Sequence, residues 1–319
     1  MNRTLLLWAL LFLSASCTHS PAPSEDASQL DWSAGCHPTE AEHAFVDVGE
    51  VTLHVACRGE GPTLLLLHGF PEFWYGWNPV LDALTQHFRV IMPDQRGYNL
   101  SDKPDDISAY RLSTLATDME ALINVVAPEG VSAVVGHDWG AGIAFALAHQ
   151  SGDLMERLVV LNGPHPNVFA RELQNNPSQR AASAYITYLL GERAHDSLQA
   201  NDYQNLARSF EKFLSPEDLN LYREAWSRPG ALTAMLHWYR ANVTEDLHLI
   251  NDEVITVEVP TLVLWGQRDS ALLEGNLVGL GDYVQDVTIE KLPDAGHWVV
   301  HDTPEQVARS IIGFVPNGR

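Results

Sequence analysis

Residues 131–146 read Val-Ser-Ala-Val-Val-Gly-His-Asp-Trp-Gly-Ala-Gly-Ile-Ala-Phe-Ala. The order is an apolar strand, a turn of small residues and a helix, with Asp138 at the apex of the turn. Small residues let the chain reverse so sharply that one strained side chain stands above the end of a parallel strand. Here they are Gly136, Gly140 and Ala141. The stretch therefore predicts an α/β sheet that presents Asp138 at its edge.

The residue at the apex selects the chemistry. A serine there is typical of esterases and lipases, whereas an aspartate indicates attack on carbon and an alkyl-enzyme ester that a second step must hydrolyse. Nucleophile, acid and histidine follow one another in that order along such chains. Asp269 and His297 come after later apolar runs in this order. We expect His297 to act as the base at neutral pH, with Asp269 fixing its tautomer.

Apolar runs and helical periodicity indicate the order of the elements. Residues 43–57 predict two antiparallel strands, and residues 112–126 and 304–315 predict helices. Apolar runs predict strands at 63–67, 88–93, 131–135 and 157–162, and strand alternation resumes at 261–265 and 287–290. Residues 164–247 are helical in pattern and contain no convincing strand. We therefore predict a mostly parallel central sheet flanked by helices, formed by residues 43–163 and 248–319, with residues 164–247 inserted as a helical cap.

The overall composition bounds the functions that this chain supports. Its 319 residues are 45% hydrophobic, which is enough for one large core with an insertion. A formal net charge of −22 disfavours nucleic acid and anionic membrane surfaces as partners, because phosphates repel such a surface. We find no metal-spaced His/Cys cluster, phosphate loop or dinucleotide fingerprint, so we expect neither a metal nor a cofactor.

The N-terminal region has the pattern of an export signal. Residues 1–16 combine a basic start, an apolar run and small residues, and we interpret them as a signal peptide. The segment resembles a bacterial lipoprotein signal, which predicts lipidation and membrane anchoring at Cys17; simple cleavage to a periplasmic or secreted form is the alternative. We expect a tether over residues 17–42. Export would allow Cys36 and Cys57 to form a disulfide, although two free thiols remain the alternative.

Four motifs together resemble one family, the α/β-hydrolase-fold epoxide hydrolases. They are His-Gly-Phe-Pro-Glu at 68–72, Gly-His-Asp-Trp-Gly-Ala at 136–141, Asp-Gln-Arg-Gly-Tyr at 94–98 with Ser-Asp-Lys-Pro at 101–104, and His-Trp-Tyr-Arg-Ala-Asn at 237–242. The likeness covers roughly residues 43–316. One departure is Asn99, where the family usually has glycine, and it bears on loop shape rather than on the chemistry.

The resemblance assigns further site residues. In that family two cap tyrosines hydrogen-bond the epoxide oxygen and supply its proton. Tyr239 matches one of them. Tyr185 matches the other, and Tyr188 is the alternative for that role. The backbone amides of Phe70 and Trp139 are the expected oxyanion donors. His68 and Asp94 are expected to support loops and carry no chemistry. The expected walls of the substrate pocket are Trp139, Phe70, Tyr188 and Trp298.

The resemblance thus implies an epoxide hydrolase that acts on a small-molecule apolar epoxide, with water as co-substrate and a vicinal diol as product; it leaves the size and stereochemistry of the substrate open. Two other functions compete with it. A haloalkane dehalogenase would share Asp138 and His297, but many such enzymes resemble His-Gly-Asn-Pro where this chain has Phe70. A catalytically silent binding protein anchored to the envelope has no need of a strained carboxylate together with an acid, a base and two tyrosines. The oligomeric state has no sequence signal.

Overall fold

The computed structural model describes residues 30–250 and 253–316. The predicted signal peptide, the start of the predicted tether and the predicted lipidation site Cys17 lie outside the described residues. Within these two ranges no helix is both long and apolar enough to cross a bilayer.

An eight-stranded sheet forms the centre of the molecule, as predicted. Its order is β1-β2-β4-β3-β5-β6-β7-β8, and β2 runs antiparallel to both of its neighbours while the strands from β4 onward pair in parallel. The strands are β1 (Glu42–Asp47), β2 (Thr52–Arg58), β3 (Thr63–Leu67), β4 (Arg89–Pro93), β5 (Ala133–His137), β6 (Leu158–Leu161), β7 (Thr261–Gly266) and β8 (Val287–Leu292).

Helices cover the sheet and build the cap. Those of the core are α1 (Asn78–Leu84), α2 (Leu112–Val126), α3 (Trp139–Ser151), α10 (Val299–Asp302) and α11 (Pro304–Phe314). The cap, between β6 and β7, contains α4 (Pro166–Asn175), α5 (Pro177–Ala182), α6 (Ala184–Leu190), α7 (Ala194–Ala207), α8 (Pro216–Ser227) and α9 (Ala231–Asn242). Short 3₁₀ turns occur at Trp74–Trp77, Ile107–Tyr110, Gly152–Leu154, Glu274–Leu277 and Leu280–Asp282. The predicted limits of α2 are confirmed.

Two apolar layers hold the helices against the sheet. All five residues of β3 are buried, and alternate ones point to opposite faces. Leu65 and Leu67 join the layer beneath α2, α3 and the cap, whereas Leu64 and Leu66 join the layer beneath α1 and α11. This double burial is why the inner parallel strands, such as β3, β6 and β7, have nearly continuous apolar sequences, whereas the edge strand β8 is mostly exposed.

The residues that lead into β1 are attached to the core. Cys36 and Cys57 form a disulfide with their Cα atoms 5.8 Å apart. The buried Arg89 donates hydrogen bonds to the backbone carbonyls of Trp32 (2.5 Å) and Ala34 (3.4 Å), and also to that of Val126 at the end of α2 (2.9 Å). The described part of the predicted tether, from residue 30 onward, is therefore not a free linker, because the disulfide and Arg89 fix it to β2 and β4.

The cap rests on loops that follow β3 and β4. The indole of Trp226 in α8 donates to the Pro71 carbonyl at 2.6 Å, and that of Trp238 in α9 donates to the Arg96 carbonyl at 3.0 Å. Next to α9, Arg228 donates to Asn99 Oδ1 at 2.7 Å. Asn99 has φ +39°, a conformation that asparagine tolerates better than most residues. The residue that departs from the family pattern thus joins the core to the cap.

Candidate active site

The turn between β5 and α3 places Asp138 above the sheet. Asp138 has φ +53° and ψ −119°, which is a strained conformation for a residue with a side chain. Glycine on either side makes the turn possible, since a Cβ on Gly136 would collide with the Gly140 carbonyl and one on Gly140 with the Leu67 carbonyl. The turn has the geometry predicted from its small residues.

The two carboxylate oxygens of Asp138 have different partners. Oδ1 accepts a hydrogen bond of 2.8 Å from the Phe70 backbone amide, in the loop after β3. Oδ2 lies 3.5 Å from Nε2 of His297. The backbone amide of Phe70, a predicted oxyanion donor, therefore points at Oδ1, while Oδ2 is available to attack a substrate carbon. The Trp139 amide makes no bond to either oxygen within the described residues, so its role as a donor stays a prediction.

The predicted acid and base lie together at the same edge of the sheet. His297 Nδ1 and Asp269 Oδ2 are 2.8 Å apart. The other oxygen of Asp269 accepts from the backbone amides of Ala271 at 2.8 Å and Leu272 at 2.9 Å. Asp269 is 6% exposed, and these bonds satisfy a carboxylate that water scarcely reaches. The imidazole is thus oriented with Nε2 toward the nucleophile.

The charge of the two carboxylates controls His297. Burial by itself would lower the pKa of His297, but its hydrogen bonds to Asp138 and Asp269 and their negative charges raise it to about 10. Burial would likewise raise the pKa of Asp269, yet the bonds from His297, the Leu272 amide and Asn162 hold it below its ordinary value. At neutral pH the resting site therefore contains an imidazolium between two carboxylates.

Tyr185 of α6 and Tyr239 of α9 line one cavity with Asp138. Burial, reinforced by the charge of Asp138, raises the pKa of both phenols above its ordinary value. Tyr239 also packs edge-on against the ring of Trp139, with centroids 5.2 Å apart. Both phenols are therefore protonated at neutral pH and are available as O–H donors.

The cavity is otherwise apolar. It encloses about 690 Å³, its mouth included, which is within the range of small-molecule sites. Asn242 is a polar residue of the lining, but its side chain is already bonded to backbone groups. Its Oδ1 accepts from the Leu112 amide, and its Nδ2 donates to the carbonyls of Tyr110 and Trp238. Apolar side chains of the wall include Leu112, Phe169, Ile186, Val243, Leu249 and Leu272.

Three predicted pocket residues lie elsewhere. Tyr188 is 46% exposed on the outer side of the cap, because Tyr185 already points inward on the same short helix. Trp298 packs on His297 and Phe210, with ring centroids 4.8 and 4.6 Å away, and is not part of the cavity wall. The Phe70 ring packs edge-on against Tyr239, so Phe70 serves the site through its backbone.

Asn162, directly after β6, is a site residue that was not predicted from the sequence. Its Nδ2 donates to Asp269 Oδ2 at 2.8 Å, and its Oδ1 accepts from the Gly266 amide at 2.6 Å. Asn162 therefore fixes the acid from the neighbouring strand. A signal was present, since a polar residue directly after a buried strand lies at the same edge as Asp138 and Asp269.

A second missed feature is the buried carboxylate of Glu72, which is 3% exposed. Glu72 Oε1 accepts from the Tyr222 hydroxyl at 2.9 Å and lies 2.8 Å from His301 Nε2. Burial would raise the pKa of Glu72, but His301 and His137 lower it instead. The sequence places Glu72 in a motif but gives no hint of these partners, which come from the cap and from α10.

The residues that were expected to support loops do so. Asp94 is fully buried and accepts from the Trp74 amide and Asn99 Nδ2, while its Oδ2 lies 2.6 Å from His54 Nδ1. His68 Nε2 accepts from the Gln95 amide at 3.2 Å. In the described ranges no group of three or more His, Cys, Asp or Glu side chains is arranged to hold a metal ion.

Comparison with known proteins agrees with this geometry. Residues 62–304 match the family described as the alpha/beta hydrolase fold. An AB hydrolase superfamily protein of Bacillus subtilis is 39% identical over 86% of this chain and 97% of its own length, and human epoxide hydrolase 4 is 31% identical over 98% and 94%.

Solved structures give the same result. The crystal structure of a mutant epoxide hydrolase from Bacillus megaterium superposes with a TM-score of 0.79 at 30% identity, covering 85% of this chain and 99% of that one. An epoxide hydrolase from Vigna radiata has a TM-score of 0.72 at 26% identity, covering 86% and 98%. Fold, motifs and relatives agree, and this chain belongs to the epoxide hydrolase family of the α/β-hydrolase fold.

Proposed function

We propose that this protein hydrolyses an epoxide to a vicinal diol through a covalent ester on Asp138. The observation that carries the proposal is the shared cavity, which a strained carboxylate and two protonated tyrosines line together. Relatives that are named epoxide hydrolases support it.

In the first half-reaction, Asp138 Oδ2 attacks a ring carbon of the epoxide. A new carbon–oxygen bond forms, the ring carbon–oxygen bond breaks, and its electron pair passes to the ring oxygen. That oxygen needs a proton as the charge develops, and a hydroxyl of Tyr185 or Tyr239 supplies it. Asp138 Oδ1 becomes the ester carbonyl oxygen and stays beside the Phe70 amide.

In the second half-reaction, water attacks the ester carbon of Asp138 while His297 Nε2 removes a proton from it. Negative charge develops on Oδ1, where the Phe70 amide already donates a hydrogen bond. Collapse of this intermediate breaks the bond between the ester carbon and Oδ2. Oδ2 leaves as the second hydroxyl of the diol with the remaining proton of the water, whose oxygen stays in the restored carboxylate. Asp269 stabilises the imidazolium that forms.

Ester formation prepares His297 for its role as a base. In the resting protein two carboxylates raise the pKa of His297 to about 10, so the ring is protonated and cannot accept a proton at neutral pH. The ester is uncharged, so one of the two negative neighbours disappears when Asp138 reacts. The pKa of His297 then falls, and the proton that the ring gives up replaces the one that the tyrosine passed to the epoxide oxygen, so water activation begins only after alkylation.

The cavity wall favours an uncharged substrate with an apolar substituent. Among the described residues no lysine or arginine is part of this wall, and Asp138 is the one charged side chain that they place on it. The amide of Asn242 is engaged by backbone groups and has little capacity left for a ligand. Apolar contact would therefore supply most of the binding energy, while Asp138 and the tyrosines orient the ring.

The cap tyrosines distinguish this proposal from haloalkane dehalogenation. A departing halide needs no proton, whereas an epoxide oxygen needs an acidic hydroxyl as its ring opens. We expect single Tyr185→Phe and Tyr239→Phe changes to slow ester formation by roughly 10- to 100-fold, and the double change nearly to eliminate it. Single-turnover kinetics with a styrene-oxide-like epoxide would measure this, and hydrolysis of the preformed ester should change much less.

Tyr188→Phe is the matched control for this experiment. It removes the same hydroxyl from the same helix as Tyr185, but from an exposed position outside the cavity, so epoxide opening should be unchanged. Haloalkanes are assayed beside the epoxides. A double variant that opens epoxides at the parent rate, or a parent that releases halide and leaves epoxides intact, would favour the dehalogenase.

We also propose that the mature chain begins at Cys17 and is held at the cell envelope by lipid. The order of basic start, apolar run and small residues before Cys17 supports this. The full-length protein should fractionate with membranes and Cys17→Ala should release it, because a single cysteine would carry the lipid. Mass analysis that places the mature N-terminus at another residue would contradict the proposal.

A further inference from the structure

A buried amide side chain in the cap joins two parts of the candidate site. Gln179 of α5 is fully buried, and its side-chain amide makes four hydrogen bonds. Its Nε2 donates to the Ala271 carbonyl at 2.8 Å and to Ser183 Oγ at 2.9 Å. Its Oε1 accepts from the Leu273 amide at 2.9 Å and from Asn276 Nδ2 at 2.8 Å. Three of these four bonds cross from the cap to the loop after β7.

The loop that Gln179 contacts is the one that fixes the catalytic acid. The amides of Ala271 and Leu272 donate to Asp269 Oδ1, so their positions set the direction of the carboxylate. Gln179 bonds the carbonyl of Ala271 and the amide of Leu273, on either side of Leu272. The loop segment that holds Asp269 is therefore itself held at both ends by one cap residue.

On the cap side, Gln179 lies shortly before the helix that carries Tyr185. Its carbonyl accepts a hydrogen bond of 2.9 Å from the Ser183 amide, and this backbone bond attaches Gln179 to the start of α6. Ser183 immediately precedes α6, and its carbonyl accepts from the Ile186 amide, next to Tyr185. A displacement of Gln179 would therefore move the start of α6 and the Tyr185 hydroxyl relative to Asp138.

We propose that Gln179 is a positioning residue that aligns the proton-donating Tyr185 with the Asp269–His297 pair and so acts on both half-reactions. The inference rests on the proposed epoxide hydrolysis. Gln179 touches no reacting atom. It fixes the position of Tyr185 in the cap relative to the Asp269–His297 pair in the core. Both must act on the same substrate, and small misplacements of such groups slow catalysis strongly.

The first test compares Gln179→Leu with Ser183→Ala. The leucine removes all four bonds at similar size, whereas the alanine removes one bond within the cap and keeps the three that reach the loop after β7. Gln179→Leu should slow both ester formation and ester hydrolysis by roughly 10-fold or more, while Ser183→Ala should stay within about twofold of the parent. Rapid-mixing single-turnover kinetics separates the two steps.

A double-mutant cycle shows whether Gln179 acts through Tyr185. With Tyr185→Phe already present, Gln179→Leu should slow ester formation by much less than it does in the parent, because the group that it positions is gone. Its effect on ester hydrolysis should remain in full. Additive effects on ester formation would contradict the proposal.

A substrate-free measurement separates this inference from the proposed function. The groups that face His297 are the carboxylates of Asp138 and Asp269 and the ring of His137. A looser Asp269 stabilises the imidazolium less, so NMR titration should show a lower pKa for His297 in Gln179→Leu than in the parent. This shift would support the role of Gln179 even if the parent opened no epoxide.

Gln179→Glu provides a second variant if the leucine variant does not fold. It keeps an oxygen for the Leu273 amide and Asn276 Nδ2 but loses both donors, so it should change the rates in the same direction. A lower melting temperature combined with parent-like rates and a parent-like His297 pKa would assign Gln179 a purely structural role and overturn the proposal.

Discussion

Asp138→Asn should lower epoxide turnover by at least roughly 10³-fold and leave the fold intact. The amide has nearly the shape of the carboxylate and still accepts a hydrogen bond from the Phe70 amide, but it is a poor nucleophile. Steady-state kinetics and circular dichroism measure the two effects. Intact mass must show that the new amide has not deamidated to aspartate during the assay.

Asp153→Asn is the matched control for this change. Asp153 is exposed beyond the far end of α3, so the same loss of charge there should leave turnover at the parent value. Full activity in a verified Asp138→Asn protein would remove Asp138 from the role of nucleophile. It would also refute the proposed ester.

His297→Gln should form the ester and fail to hydrolyse it. Attack by Asp138 needs no base, but the water that cleaves the ester does, and glutamine cannot remove its proton. After mixing with substrate, intact mass should rise by the mass of one epoxide, and the modified peptide should contain Asp138. His248→Gln, at an exposed position, should show neither the adduct nor the loss of turnover.

The pH dependence of the parent gives an independent check on His297. Protonated His297 cannot act as a base, so ester hydrolysis should accelerate with rising pH until the pKa of the ring in the ester is passed. That pKa should lie below about 10, the value in the resting protein, because the charge of Asp138 is gone. Single-turnover hydrolysis at a series of pH values locates this point. An inflection at or above the resting value would contradict the link between ester formation and base activation.

Local sequence determined most of the core. Strands that are buried on both faces need apolar runs, so β3 and β5 can be predicted from the sequence. A tight strand-to-helix turn needs glycine near its apex, so the strained conformation of Asp138 can be predicted as well. The order of Asp138, Asp269 and His297 is equally visible, because each follows a strand of one parallel sheet and such ends meet at one edge.

The orientation of side chains in the cap could not be predicted from the sequence. Tyr185 and Tyr188 are three residues apart on a helix, and the pattern offers both as the phenol of the cavity. Only the packing of α6 places the first inside and the second 46% exposed. Packing likewise decides the place of Trp298, whose ring lies against those of His297 and Phe210 and does not line the cavity.

The sheet, the turn and the order of Asp138, Asp269 and His297 can be predicted from the chain, because each depends on residues that are neighbours in sequence or on the fixed geometry of parallel strands. The choice between the two tyrosines, and the bonds by which Asn162 and Gln179 hold the acid, depend instead on how the folded elements pack. Gln179 and Ala271 are 92 positions apart in the chain and join through a hydrogen bond of 2.8 Å. Contacts of this kind have no local pattern, since they arise only when the cap closes on the sheet.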